Sequence, residues 1–314
     1  MNDRYPYKIS VIDPVSEAIS RMKMILFEPF DLAKWFTIGF CAWLANLCQG
    51  GGGGAGGGGN NASGENFSRI PEFFAAHQAI IIIVSSIVLV LVLALILVCL
   101  WLSSRGKFMF LYCVVENKAE IKVPWHKFRE HGNSLFLFRL VAGIILFICI
   151  AIIAGAIAIP IIMLVREGNS FGAFIIAIIV VAGLVGITLF IFFGLIFKFT
   201  KDFVVPIMYL RDIRCIDAWR EFLTLLTSYK LNFALYILFQ ILLTIVIGTI
   251  VITAVCITCC IAGCLMALPY LGAVLLLPMT TFCLSYCLYY LRQYGPDFDV
   301  FTYQEEVIPP EFGQ

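Results

Sequence analysis

The sequence predicts an all-α fold: a polytopic transmembrane helix bundle of about six spans, arranged as three hairpins with cytoplasmic amphipathic segments. Three observations carry that expectation. Hydrophobic residues fill 61% of the 314 positions and charged residues only 13%, with a mean hydropathy of +0.99, so lipid suits most of the chain better than water does. Apolar runs recur at lengths that match a bilayer, and nearly all basic residues fall on alternate sides of those runs. The formal net charge of +1 gives no ground for a nucleic-acid partner. Most of the 12 cysteines lie inside apolar runs, where Cys acts as a small hydrophobe, so the count implies no disulfide framework. Asp3, Arg4, Lys8 and Asp13 precede any apolar run, and no removable signal peptide is expected.

Crossing ~30 Å of hydrocarbon takes about 20 apolar residues at a rise of ~1.5 Å each. Residues 1–34 read as a cytoplasmic amphipathic segment, with Asp13 as helix N-cap and Pro14 at the first helical position. Val15, Ile19, Met22 and Leu26 then share one face, opposite Ser16, Glu17, Ser20 and Lys23. The six-span membrane domain is expected over 35–292. Its first span, 35–48, has only 14 residues, diluted by Gly39 and Asn46; that length equally suits a re-entrant or interfacial helix. Residues 49–76 form a Gly-rich outer loop. Its GGGGGAGGGG tract at 50–59 lacks the Lys and Ser or Thr of a phosphate loop and reads as a flexible tether, while Asn61 and Asn66 are formal glycosylation acceptors. Further spans are expected over 77–102, 135–165, 171–197, 231–262 and 268–291, followed by a cytoplasmic tail over 293–314. From Asp297 onward that tail has five acids and no base.

Orientation follows from the basic residues, which are enriched in cytoplasmic loops. Nineteen fall on the side that includes both termini, and two, Arg69 and Arg166, on the other. A cell-membrane location with N- and C-termini in the cytoplasm is therefore expected. If 35–48 did not cross, the five N-terminal basic residues would lie outside.

An internal repeat underlies the three hairpins. Arg105, Lys198 and Arg292, at the exits of the even-numbered spans, are 93 and 94 residues apart. Trp125 and Phe128 in WHKF match Trp219 and Phe222 in WREF at an offset of 94.

Two groups of side chains are candidate sites. Lys122, Trp125, Lys127 and Arg129 put basic charge beside an aromatic ring on a cytoplasmic amphipathic segment, a combination suited to anionic headgroups at about 1 kcal/mol per basic residue. The same segment also reads simply as an anchor packed under the bundle. Gln240 is the strongly polar side chain deep in a span, and with Thr280 and Thr281 it forms a candidate intramembrane polar site; hydrogen bonding across the bundle is its ordinary role. Pro160, Pro269 and Pro278 interrupt apolar runs. Cys256, Cys259, Cys260 and Cys264 recur at helical spacing, which places three on one face and favours packing over a soft-metal site or disulfide chemistry. No cofactor or metal is expected. His77, His126 and His131 have no evident catalytic partner, and no Asp or Glu falls inside the expected spans, which counts against an enzyme and against proton- or ion-coupled transport.

Several strings carry a resemblance: DPV near residue 13, EPFDLAKWFTIGFCAWL at 28–44, WLSSRGKF at 101–108, GNSLFLFRL at 132–140 and LPYLGAVLLLP at 268–278. Together they resemble an uncharacterised family of bacterial multi-pass membrane proteins with a Gly-rich insert after the first span and a YGPDFDVF-like tail. More remotely, the six-span plan is similar to the membrane domain of some glycerophosphodiester phosphodiesterases. Neither resemblance implies a catalytic or binding residue. The leading functional expectation is a non-enzymatic component that binds membrane lipids or protein partners; the alternative is a permease for a neutral or amphiphilic solute.

Overall fold

A computed structural model of the chain describes residues 9–47, 78–167, 172–258 and 261–301; the described residues are helical and connecting segments, with no strand among them. Helix α1 (Asp13–Leu26) starts one residue earlier than its acidic cap predicts. Ile12 occupies the cap position, Ser10 Oγ accepts from the Ile12 and Asp13 N–H groups, and Asp13 sits in the first turn, where the helix dipole favours it. Helix α2 (Leu32–Asn46) is capped by Asp31, whose carboxylate accepts from Ala33 N at 2.8 Å.

Next come α3 (Gln78–Glu116), the short α4 (Lys122–Lys127), α5 (Arg129–Glu167) and α6 (Gly172–Phe199). Helix α6 passes through a π-helical turn (Thr200–Val204) into α7 (Val205–Arg211). Amphipathic α8 (Cys215–Ser228) and apolar α9 (Lys230–Ile257) follow, then α10 (Ile261–Ala267), α11 (Pro269–Leu275) and α12 (Leu277–Arg292).

Among the described residues four helices are long and apolar enough to cross a membrane: Ile82–Glu116, Arg129–Ala158, Ala177–Arg211 and Lys230–Ile257. The two other expected spans are different in form. Helix α2 has 15 residues. The last apolar segment is divided, because Pro269 and Pro278 each open a new helix and supply no N–H to the turn before. The span expected over 171–197 does not stop at Phe197 but stays helical through Arg211, which brings Asp202 into a membrane-length helix.

Helix α3 shows how the molecule is divided. Its 39 residues extend about 58 Å, nearly twice the hydrocarbon thickness. Ile82 through Val98 are exposed on every side, whereas Ser103 through Val115 are buried. Apolar arms of this kind require lipid around them, since each exposed Leu, Ile or Val would cost about 1.5–3 kcal/mol of burial energy in water. The inner ends gather into a packed base. One part of its core joins Phe108, Phe203, Phe222, Phe233, Tyr236 and Tyr286; another joins Ile25, Ile38, Cys41, Met109, Phe110 and Leu277. Helices α2 and α3 meet at Gly106, where a Cβ would lie 2.6 Å from Ala45 N, so only glycine permits this approach.

The amphipathic segments complete the base. Helix α4 packs on α3, α8 on the π turn and α7, and α1 on α12, so each covers the inner end of an apolar helix and the first covers the last. The matched aromatics dock alike: Phe128 stacks on Phe108 at 5.9 Å and 16°, and Phe222 on Phe203 at 5.3 Å and 11°.

Candidate functional site at the junction of arms and base

The predicted headgroup residues all lie around the inner end of α3. Lys122, Lys127 and Arg129 are exposed, and Pro124 and Phe128 bury the other face of the segment. The half-buried Trp125 ring meets Trp101 edge-on at 5.9 Å. Arg105 packs in the corner these indoles form, its guanidinium 4.3 Å from the Trp101 ring and 4.9 Å from that of Trp125. Arg105 Nη2 donates to Asn133 Oδ1 at 3.3 Å, and Trp101 Nε1 donates to the same oxygen at 3.2 Å. Gly132 lets α5 pass against the Arg105 stem: a Cβ there would fall 2.7 Å from Arg105 Cγ. One turn deeper, Arg139 Nη1 donates to Ser103 Oγ and Ser104 Oγ at 3.3 and 3.2 Å, and Ser103 Oγ donates to Ala45 O.

Among the described residues no hydrogen bond joins Gln240 to Thr280 or Thr281. Gln240 is buried and donates through Nε2 to Tyr236 Oη at 3.1 Å. Thr280 donates to Leu277 O within its own helix. Thr281 is fully buried with no partner for its hydroxyl among the described residues, as is Ser285 one turn on.

Gln240 instead belongs to a cluster built around Asp202. Lys198 Nζ pairs with Asp202 Oδ2 at 2.9 Å across one helical turn, and Tyr236 Oη donates to the same oxygen at 3.0 Å. Cys287 Sγ on α12 lies 3.0 Å from that hydroxyl. The π turn carries Asp202 toward α9 and α12, a frequent use of such a turn at a functional position. The signal for this cluster in the sequence is the i, i+4 pair Lys198 and Asp202, just beyond the end of the expected span 171–197.

Other singled-out residues are scattered. His131 meets Asp212 at 3.1 Å, and His126 is exposed. Cys256 and Cys264 are exposed; Cys259, Cys260, His77, Asn61, Asn66 and the Gly-rich tract lie outside the described residues. At the start of α8, burial pushes the Cys215 thiol up to about 12, which keeps it protonated and unreactive near neutral pH.

This geometry, an apolar helical array closed at one end by amphipathic segments, extends over the region matched by a family model described as a family of unknown function, DUF7544, at residues 9–291. The chain belongs to the DUF7544 family. No curated protein and no solved structure matches it, so the likeness to the membrane domain of glycerophosphodiester phosphodiesterases is without support. Both clusters of this DUF7544 chain fall within the family match, which ends at Leu291, just before Arg292.

Proposed function

We propose that this DUF7544 protein is a non-enzymatic, multi-pass component of the bacterial cell membrane that binds anionic lipid at its cytoplasmic face. The observation that carries this reading is the placement of exposed Lys122, Lys127 and Arg129 around Trp125, directly beyond the lipid-facing stretch of α3. Basic residues beside interfacial tryptophans complement a negative leaflet surface. In this reading α2 and the divided α11–α12 segment complete six spans in three hairpins, with both termini in the cytoplasm. The three-way recurrence of amphipathic segments on inner helix ends supports that arrangement.

Two experiments test it. Compartment-sensitive reporters fused after Gln49 and at the C-terminus should read outside and inside, respectively; an inside signal from the first would remove the first span. The charge reversal Lys122→Glu, Lys127→Glu, Arg129→Glu should weaken association of purified protein with vesicles of phosphatidylglycerol by about a hundredfold or more at low salt, given about 1 kcal/mol per basic residue. Unchanged association would end the headgroup reading.

A further inference from the structure

Arg105, Lys198 and Arg292 recur at matching positions, and the chain treats their charges differently. Lys198 pairs with Asp202 at 2.9 Å. Arg292 Nη2 reaches both carboxylate oxygens of Glu17, at 2.7 and 2.6 Å. Arg105 has no acid: among the described residues its partners are two indole faces and one neutral amide oxygen, and the charge that acts on it is the like charge of Arg129. Glu130, the acid on that stretch of α5, is exposed and makes no ion pair with it.

The cost of this arrangement identifies what is missing. Arg105 is only 7% exposed, and its buried Nε has no acceptor. Withdrawing a cation from water costs several kcal/mol unless a counter-charge compensates. Cation–π contact offsets about 2 kcal/mol and leaves the net charge in place. Two indoles at right angles flank the guanidinium without supplying an acceptor for its N–H groups, and a planar or tetrahedral oxyanion is the partner for which Arg surpasses Lys.

Depth indicates the source of that anion. The exposed stretch from Ile82 to Val98 covers about 25 Å of helix, close to a hydrocarbon thickness, and Arg105 lies about 10 Å further along. Trp101 sits between, at the level where interfacial tryptophans gather. We propose that Arg105, framed by Trp101, Trp125 and Asn133, is a discrete receptor for the phosphate of an anionic lipid headgroup, which supplies in trans the negative charge that Asp202 and Glu17 supply in cis.

This proposal rests on the headgroup reading above but differs from it in salt response, because an enclosed contact is screened far less than surface lysines are. Full-length protein in neutral detergent is loaded with equal amounts of phosphatidylglycerol and phosphatidylcholine and washed by chromatography in about 1 M salt, where the Debye length is about 3 Å. Retained lipid is then quantified by mass spectrometry. Wild type should keep phosphatidylglycerol about tenfold over phosphatidylcholine, and Arg105→Gln should lose that preference. The triple reversal at Lys122, Lys127 and Arg129 should retain it while losing low-salt vesicle binding, so the two readings fail separately. Arg105→Lys, which keeps the charge without the planar fork, should reduce the preference several-fold and serves if the Gln variant does not elute as wild type. Inorganic phosphate at millimolar concentration should not displace the lipid. Absence of preference in wild type at high salt, full retention in Arg105→Gln, or displacement by inorganic phosphate would each overturn the proposal.

Discussion

Lys198 and Arg105 stand 93 residues apart at corresponding exits of two apolar helices, yet among the described residues only Lys198 has a counter-ion. Around Lys198 the π turn rotates Asp202 inward, and Tyr236 and Gln240 on α9 extend the network to Cys287 on α12. Around Arg105 the helix is uninterrupted, its neighbours are Trp101 and Trp125, and the available oxygen is the neutral amide of exposed Asn133. One site is closed by its own carboxylate and rigidifies the base. The other is closed by rings, which leave its charge to be matched from outside. Repeat position alone therefore does not assign a role; the residue that answers the charge does.

The largest expected effect comes from opening the closed site. Asp202→Asn leaves Lys198 without its counter-charge beside a buried Tyr236 hydroxyl, and should cost about 3 kcal/mol, toward the lower end for a broken buried pair because Lys198 is 36% exposed. The matching change at the third position, Glu17→Gln, should cost no more than about 1 kcal/mol, since Glu17 and Arg292 are 43% and 21% exposed. Thermal unfolding in one neutral detergent compares the two. Equal losses would mean that enclosure does not distinguish these pairs.

Much of the architecture was legible in the sequence because apolar length and helical periodicity are local. The amphipathic pattern of α1 and α8 and the long apolar helices are of this kind, as are the proline breaks at Pro269 and Pro278. What escaped depends on packing between distant segments. A run of basic residues from Lys198 onward reads as a cytoplasmic loop, yet Phe199, Phe203 and Val204 bury against Phe222 and Phe233 and keep the chain helical through Asp202. Arg105 reads as a span exit; its enclosure is visible only once α4 returns Trp125 across α3. Gln240 was legible as a polar residue in an apolar helix, but its partners Tyr236 and Cys287 were not, because Cys287 arrives from 47 residues away.

A smaller change in stability accompanies the measurement that bears most directly on the contrast. Asn133→Asp places a carboxylate where Arg105 and Trp101 already direct their N–H groups, giving Arg105 the internal acid that its counterparts have. Stability in neutral detergent should rise by about 1 kcal/mol, the gain from making one hydrogen bond charge-assisted. The decisive reading is lipid retained by this variant in about 1 M salt, under which surface charges are screened. The account predicts that the roughly tenfold preference for phosphatidylglycerol over phosphatidylcholine disappears, because the receptor is filled from within. A preference that persists undiminished in Asn133→Asp would contradict it.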